Sequence, residues 1–174
     1  MLNAKLFTVD NQEQLDRCVK ALMDCRYIGL DIETAYYWLG EAGERISTLQ
    51  LAAEIGSITK VWVIDLFVKY DYTGLACLLD SKEILKVIHN ASYDARKVPL
   101  HMGMNIAPVW CTQTVERKLK DKAALIDVTH KYLGIKLEKE TRLSDWGARP
   151  LTQKQLIYAA TDAVVAYRNA KGKT

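Results

Sequence analysis

The chain has 174 residues, of which 49% are hydrophobic and 26% are charged, and its formal net charge is +3. This composition agrees with one compact domain over residues 1–174, because no long Pro, Gly or Ser run could serve as a linker. No apolar stretch approaches the roughly 20 residues that a bilayer-spanning helix needs. The N-terminus, MLNAKLFTVDNQEQ, lacks the basic start and apolar centre of a secretory signal, so we expect a cytoplasmic protein without a membrane partner.

The predicted elements begin, in chain order, with a strand at 5–9, a helix at 12–23 and a strand at 27–33. Strands at 47–54 and 60–64 are predicted to be antiparallel neighbours. Helices at 73–79, 91–102, 112–119 and 123–133 then alternate with short strands at 85–88 and 105–109, and a last helix follows Thr152. Strands that meet first as hairpins and later alternate with helices predict an α/β fold, with a mixed sheet covered on both faces.

The cysteines of the chain are scattered, at Cys18, Cys25, Cys77 and Cys111. No C-x-x-C spacing is present that would indicate a zinc site or a redox pair. We therefore expect reduced thiols, as is usual inside cells, with Cys18 and Cys77 packed in the core.

Two carboxylates end the strand predicted at 27–33, in the sequence YIGLDIE. The two-residue period of a strand places Asp31 and Glu33 on the same face as Gly29, and the carboxyl ends of strands are where open α/β sheets bind ligands. Two like charges this close repel each other unless a cation joins them. A pair of divalent metals would satisfy them, whereas an isolated Asp-x-Glu is more often a solvated strand end with surface ion pairs.

The last helix carries a polar pair on a face that is otherwise apolar. Thr152 and Gln155 form a predicted capping box at its start. Tyr158 and Asp162 are four residues apart, which places them on one side of the helix. A buried Asp that accepts a hydrogen bond from a Tyr hydroxyl would explain this pair, and so would metal ligation, which the presence of Asp31 and Glu33 favours.

A fourth carboxylate, Asp94, falls one turn into the helix that begins near Asn90, in HNASYDARKV. From that position it can reach the end of the sheet that carries Asp31. Taken alone, the segment favours the alternative in which Asn90 caps the helix and Asp94 faces solvent beside Arg96 and Lys97.

These segments together resemble the DEDD superfamily of 3′–5′ exonucleases, in the branch with a tyrosine in its third motif, which includes ribonuclease D and the exonuclease domain of the Werner syndrome helicase. DIET is similar to the first motif, HNASYD to the second and YAATD to the third. The stretch SDWGARPLTQKQLIYAATDA is especially similar to ribonuclease D, and the resemblance extends from about Leu6 to about Ala170. It implies a ribonuclease H-like fold, with a mixed five- to six-stranded sheet flanked by helices on both faces.

The resemblance also implies an enzyme that removes nucleoside 5′-monophosphates from the 3′ end of RNA or DNA with two divalent metal ions, Mg²⁺ or Mn²⁺. Asp31, Glu33 and Asp162 would hold one ion, Asp31 would also bridge to the second, and Asp94 would support the second. Tyr158 would orient the attacking water. All five positions carry the residue that the family requires.

Single-stranded or 3′-ended nucleic acid is the expected partner, with RNA slightly favoured over DNA because of the likeness to ribonuclease D. Tyr36 and Trp38 are candidates for stacking on a terminal base, and packing of their loop onto the domain explains them equally well. Thr34 and Asn90 are further candidates for substrate contacts. Lysines and arginines in two clusters are candidates for phosphate contacts or for ordinary solvated faces: Lys118, Lys120 and Lys122, and then Lys136, Lys139, Arg142 and Arg149.

Two functions of different class follow from the sequence. In the first, the chain is an active metal-dependent exonuclease. In the second, it is a nucleic-acid-binding module that keeps the fold and has lost turnover. The intact carboxylates and Tyr158 favour the enzyme, and the oligomeric state is left open.

Overall fold

The computed structural model of the protein describes residues 3–118, 124–134 and 139–171. Within these ranges the strands are β1 (Lys5–Val9), β2 (Tyr27–Ala35), β3 (Arg45–Ile55), β4 (Ile58–Asp65), β5 (Leu85–Ile88) and β6 (Val109–Cys111). The helices are α1 (Gln12–Leu22), α2 (Thr73–Asp80), α3 (Ala91–Met102), α4 (Thr112–Lys118), α5 (Leu125–Leu133), α6 (Lys139–Arg142) and α7 (Gln153–Ala170). A 3₁₀ turn, Tyr37–Leu39, follows β2.

The strands form a mixed six-stranded sheet in the order β1-β4-β3-β2-β5-β6, which confirms the predicted fold class. β3 runs antiparallel to both of its neighbours, β2 and β4, whereas β1–β4, β2–β5 and β5–β6 are parallel pairs. The carboxyl ends of β2, β4 and β5 and the start of β3 therefore lie at one end of the sheet. The first and second motifs meet there, because the first forms the end of β2 and the second directly follows β5.

The last helix, α7, packs closely against β2. Its predicted capping box is confirmed, because Gln155 N donates to Thr152 Oγ1 (3.3 Å) and Thr152 N donates to Gln155 Oε1 (2.9 Å). Small residues cover the side of α7 that faces the sheet, and all of them are fully buried: Ala159, Ala160, Ala163 and Ala166. Small side chains let the helix backbone approach the strand, and α7 makes its most extensive sheet contact with β2.

The other face of β2 is covered as well. Ile28, Leu30 and Ile32 alternate with Gly29, Asp31 and Glu33 and are buried. α1 and α2 pack on each other and contribute their buried residues, among them Leu15, Leu22, Leu75 and Leu78, to the same hydrophobic cluster. Apolar cores on both faces hold the strand that carries the first motif.

Several boundaries differ from the sequence prediction. The strand predicted at 105–109 is wrong in position, since β6 covers Val109–Cys111. Pro108 has no N–H to donate to a ladder, and pairing with β5 starts at Val109. The short helix α6 was not predicted. Residues 119 and 123, at the ends of two predicted helices, lie outside the described residues.

The prediction for the cysteines is half right. All four are free thiols, and Cys18 is buried in α1 as expected. Cys77 is exposed, because α2 turns Leu75, Leu78 and Leu79 inward and leaves the intervening position on its outer side. In the described part of the chain, the helices are too short or too polar to cross a bilayer.

Candidate active site

The position of the first-motif carboxylates depends on the alternation of side chains along β2 and on Gly29, which precedes them on the same face. Asp31 and Glu33 share a face with Gly29, and a Cβ atom at Gly29 would collide with the Ala163 carbonyl oxygen of α7 and lie 2.7 Å from Tyr167 N. Only glycine allows this approach of helix to strand. It brings α7, and with it Asp162, directly over the end of β2.

The structure gathers three of the predicted metal ligands into one cluster. One carboxylate oxygen from each of Asp31, Glu33 and Asp162 lies within 4.8 Å of the other two. These residues come from segments about 130 positions apart in the chain. The register of β2 on β3 shifts between Glu33 and Thr34, so the strand is irregular where the cluster ends.

The fourth carboxylate, Asp94, lines the same cleft from the first turn of α3. Its side chain is only 3% exposed, so the alternative in which it faces solvent is wrong. Asn90 occupies the N-cap position of the helix as predicted, but it is in a left-handed conformation (φ 58°) and its side chain makes no capping bond. The backbone N–H groups of Asp94 and Ile32 donate hydrogen bonds to the Asp94 carboxylate and act to lower its pKa. The bond from Ile32 connects α3 to β2.

Burial and mutual repulsion dominate the ionisation of these four groups. Burial, followed by the charges of Asp94, Asp162 and Glu33, raises the pKa of Asp31 well above its usual range. The pKa of Glu33 is raised by burial and then by Asp162 and Asp94. Burial raises the pKa of Asp94 to about 7 and the pKa of Asp162 to about 8. Four ionised carboxylates in one enclosed space are therefore unfavourable without a counter-charge.

Buried oxygen atoms without hydrogen-bond partners indicate which kind of ion supplies this counter-charge. Asp94 Oδ1, Asp162 Oδ1 and Gln50 Oε1 are buried and have no hydrogen-bond partner among the described residues. Gln50 lies opposite Asp31 across the β2–β3 pair. Buried acceptors without donors are uncommon, and hard divalent cations are ligated by such oxygens. The donor set therefore fits a divalent metal.

Tyr158 lies one turn before Asp162 on α7, and its ring lines the cleft. Burial, and then the charges of Asp162, Glu33 and Asp31, raise the pKa of its hydroxyl. The hydroxyl in turn lowers the pKa of Asp162. Tyr158 therefore remains protonated beside the carboxylates, and the Trp146 ring supports it from a centroid distance of 6.3 Å.

Arg142 brings a positive charge to the same cleft. Its side chain is exposed in α6 and lines the cavity, and its charge acts to lower the pKa of Glu33, Tyr158 and Asp162. Its predicted contact with a phosphate agrees with this position and stays a prediction. Asn90 also lines the cleft. Of the other predicted cations, Lys118 is exposed at the end of α4, whereas Lys120, Lys122, Lys136 and the side chain of Lys139 lie outside the described residues.

Arg149 has a different environment from the one expected of a phosphate ligand. Its guanidinium donates to both oxygens of Asp65, with Nε–Oδ2 and Nη2–Oδ1 each at 2.7 Å, and to Ser47 Oγ at 3.0 Å. It also lies over the Phe67 ring, 4.3 Å from the centroid. These contacts anchor the segment before α7 to the start of β3 and the end of β4. Arg149 is not among the residues that line the carboxylate cleft.

The aromatic loop after β2 divides into a packed part and an exposed part. Tyr36 stacks parallel to Phe67 at 6.2 Å and fills the space beside Gly147, where a Cβ would lie 2.6 Å from the Tyr36 ring. Trp38 is 59% exposed and contacts Tyr36 edge-on. Packing therefore accounts for Tyr36, while the indole of Trp38 is available to a ligand. Thr34 Oγ1 is within hydrogen-bond distance of the Tyr93 hydroxyl (3.1 Å).

The cleft has a volume of 650 Å³ and includes residues that the sequence analysis missed. They come from the second motif, from α4 and α5, and from the position after α6: Tyr93, Gln113, Leu125, Ile126 and Leu143. Tyr93 is inside HNASYD and adjoins Asp94, so its position in the motif is a usable signal. The others carry no sequence pattern that distinguishes a cleft from an ordinary surface.

Comparison with known proteins assigns the chain to a family of nucleases. A family model of 3′–5′ exonucleases matches residues 6–171. The chain is 30% identical over 158 residues to DNA polymerase I of Aquifex aeolicus, a match that covers 90% of this chain and 25% of that protein. It is 36% identical over 95 residues to ribonuclease D of Zymomonas mobilis, covering 53% of this chain and 24% of the relative. The chain thus corresponds to about a quarter of the length of either relative.

Among solved structures, ribonuclease D of Escherichia coli matches with a TM-score of 0.77 at 24% identity, over 92% of this chain and 42% of that one. That protein is described as an exoribonuclease involved in structured RNA processing. The similarity confirms the ribonuclease H-like fold. Because the family model covers nearly the whole chain, the chain belongs to the DEDD family of 3′–5′ exonucleases.

Proposed function

We propose that the protein hydrolyses nucleic acid from its 3′ end, one nucleotide at a time, and releases nucleoside 5′-monophosphates. The observation that carries this proposal is the carboxylate cluster of Asp31, Glu33 and Asp162, all within 4.8 Å, with Asp94 lining the same cleft. Its buried oxygens without partners suit a cation-dependent reaction, which is the chemistry of the family.

Two divalent cations, Mg²⁺ or Mn²⁺, suit this set of ligands. Asp31, Glu33 and Asp162 are assigned to the first, and Asp31 with Asp94 to the second. Such ions, when bound, supply a water of lowered pKa and neutralise the charge that develops on the phosphate. The residues of the protein then have three tasks: to hold the terminal nucleotide, to orient the water and to balance the charge of the phosphate.

Tyr158 orients the attacking water. Its pKa is raised by burial and by the neighbouring carboxylates, so its hydroxyl keeps its proton at neutral pH and both donates and accepts a hydrogen bond. Arg142, exposed at the rim of the cleft, is positioned to attract a phosphate. Asn90 and Trp38 are assigned to contacts with the terminal nucleotide. Thr34 is assigned an indirect role, through its hydrogen bond with Tyr93.

RNA is the favoured polymer. One curated relative is named ribonuclease D, and the E. coli neighbour is described as an exoribonuclease. The A. aeolicus relative is a DNA polymerase, so DNA is the alternative that the experiment must exclude. The other activities of these longer proteins are not transferred to this chain, which matches only a part of each.

The test uses one single-stranded sequence as RNA and as DNA, each labelled at either the 5′ or the 3′ end, with Mg²⁺, Mn²⁺ or EDTA. A 5′ label should give a ladder that shortens from the 3′ end, and a 3′ label should appear first as a mononucleotide. EDTA and Asp31→Asn should both abolish the products. Asp24→Asn makes the same charge change at an exposed position after α1 and should leave activity unchanged.

Three outcomes contradict the proposal. Release of the 5′ label as a mononucleotide reverses the polarity, and internal fragments indicate an endonuclease. If neither metal supports any cleavage, although the protein binds both polymers, the chain is a nucleic-acid-binding module of this fold. Equal rates on RNA and DNA would remove the preference for RNA and leave the exonuclease assignment intact.

A further inference from the structure

A second and larger cavity lies at the same end of the sheet as the carboxylates. Its volume is 1040 Å³, and its walls come from the start of β3, the segment that follows β4 and the C-terminal end of α3. This volume is at the upper end of the range of sites that hold small molecules, roughly 300–1,000 Å³. It is therefore spacious enough for more than one nucleotide.

One hydrogen bond separates this cavity from the carboxylate cleft. Tyr93 lines the cleft, Glu44 lines the cavity, and the Tyr93 hydroxyl donates to Glu44 Oε1 at 2.8 Å. Lys97 pairs with the other Glu44 oxygen, and both side chains are almost completely buried. Tyr36, which also lines the cavity, is only three residues beyond Glu33. The two spaces are therefore adjacent, on either side of the Tyr93–Glu44 hydrogen bond.

Aromatic rings dominate one side of the cavity. Tyr36 and Phe67 are parallel, at an interplanar angle of 3°, and Tyr70 packs against Tyr72 at 5.6 Å. Phe67 is 36% exposed, and the exposed Trp38 contacts Tyr36 edge-on. Bases stack on such rings with little regard to sequence, because every base has a π-face.

The charge of the cavity is positive. Arg45 and Lys69 are exposed on its wall, and neither forms an ion pair within the described ranges 3–118, 124–134 and 139–171. The acidic residue of the wall, Glu44, is neutralised by Lys97. His101 adds a buried Nε2 atom that lacks a hydrogen-bond partner in the described part of the chain. Unpaired cations beside aromatic rings are the combination that binds single-stranded nucleic acid.

We propose that this cavity binds the nucleotides that lie upstream of the 3′ end of a single-stranded substrate. Bases pack against the exposed parts of the aromatic side, and phosphates contact Arg45 and Lys69. The inference rests on the proposed function, because the cleft must take the 3′ end for the cavity to take what precedes it. It makes the apparent affinity depend on substrate length, since a dinucleotide fills the cleft alone and a dodecanucleotide reaches both spaces.

The experiment compares the wild type with the double variant Arg45→Glu/Lys69→Glu on a dinucleotide and on a dodecanucleotide of RNA. Loss of two phosphate contacts should raise the KM of the dodecanucleotide by about tenfold or more at low salt, with kcat unchanged. The kcat/KM of the dinucleotide should not change. Lys20→Glu/Lys82→Glu is the matched control: it changes the net charge equally, at exposed positions that line neither cavity, and should behave as the wild type.

An unchanged KM for the dodecanucleotide, or an equal loss on both substrates, would overturn the proposal. Binding of a fluorescent dodecanucleotide in EDTA, followed by anisotropy, separates this failure from failure of the proposed function. If the wild type turns over nothing, weaker binding by Arg45→Glu/Lys69→Glu still supports the cavity, and equal binding by both proteins rejects it. The melting temperature of each variant checks that it is folded.

Discussion

Tyr158 and Asp162 lie one turn apart on α7, and each alters the ionisation of the other. The Asp162 charge contributes to the raised pKa of the Tyr158 hydroxyl, while that hydroxyl lowers the pKa of Asp162. Asp162 belongs to the carboxylate cluster and Tyr158 does not. Under the proposed function, this pair would divide two tasks on one helix face: Asp162 would hold a cation and Tyr158 would orient the water.

Replacing Tyr158 with Phe removes the hydroxyl and keeps the ring that packs near Trp146. We expect kcat to fall by about 10²-fold or more, because a positioned proton-transfer or water-orienting group typically contributes 10²–10⁴. Metal binding should persist, since the carboxylates remain. Single-turnover rates on a 5′-labelled oligonucleotide measure the first effect, and the Mn²⁺-induced rise in melting temperature measures the second. A variant that loses the thermal shift together with its activity would place Tyr158 in the metal site instead.

The raised carboxylate pKa values predict how the metal-free protein responds to pH. Asp94 and Asp162 titrate at about 7 and about 8 in the folded chain, against 3.8 in a model peptide. Between these values the folded protein holds protons that the unfolded chain has lost, so the free energy of unfolding falls as pH rises. The contribution is fully present below pH of about 4 and is lost as pH increases through 7 to 8.

Urea unfolding in EDTA at pH 5, 6, 7 and 8 measures this slope in the wild type and in Asp94→Asn. The variant has one titrating carboxyl fewer and less repulsion at the cluster, so its stability should decline less with pH. Added Mg²⁺ should flatten the wild-type curve, because the bound ion favours the ionised carboxylates. Parallel curves for the two proteins in EDTA would mean that Asp94 has an ordinary pKa.

The ion pair of Lys97 with Glu44 should be costly to break from one side. Burial raises the pKa of Glu44, but hydrogen bonds from Lys97 and Tyr93 outweigh it and hold that pKa below its usual range. Lys97→Met leaves a buried carboxylate without its cation, and we expect a loss of about 3–5 kcal/mol in the free energy of unfolding. The double variant Lys97→Met/Glu44→Gln should recover part of that loss, because no unpaired charge remains.

Chemical denaturation of the single and double variants gives the coupling between the two residues. The exposed pair of Arg17 with Glu13 on α1 is the matched control, and Arg17→Met should cost less than about 1 kcal/mol. If Lys97→Met costs no more than Arg17→Met, water reaches Glu44 and the wall between the two cavities is not closed.

Short-range rules account for the parts of the site that the sequence predicted correctly. Strand alternation suffices to place Asp31 and Glu33 on one face, and the spacing of four places Tyr158 beside Asp162. The capping box fixes where α7 begins. Each of these relationships lies within one element, so local geometry decides it.

Side-chain contacts between different helices and strands could not be predicted from such local rules. α3 buries Asp94 and Lys97 on one side, and two charges three residues apart are usually a sign of a solvated face. The partner that makes burial of Lys97 tolerable is Glu44, 53 residues away in the chain. Arg149 was assigned to phosphate for the same reason, because its carboxylate partner, Asp65, is 84 residues away. Long-range charge pairing has no sequence period, and it determined these side-chain positions.

The contact of β2 with α7 at Gly29 provides a test of how far the site depends on backbone spacing. In Gly29→Ala the new methyl group would collide with the Ala163 carbonyl oxygen and lie within 2.8 Å of Tyr167 Cβ, so strand and helix must separate. We expect a loss of about 1–3 kcal/mol in the free energy of unfolding, as for other overpacked cores. Separation also moves Asp162 away from Asp31, so Mn²⁺ affinity, measured by calorimetry on the folded variant, should fall.

Gly74→Ala is the matched control for that substitution. A Cβ at Gly74 would lie 3.5 Å from Val19 Cγ1, an ordinary van der Waals contact, within helix α2 and away from the cleft. Its stability should be unchanged or slightly higher, because alanine favours helix over glycine by about 1 kcal/mol at most. Its Mn²⁺ affinity should equal that of the wild type. Normal Mn²⁺ affinity in a destabilised Gly29→Ala protein would show that the carboxylates adjust independently of the spacing between β2 and α7.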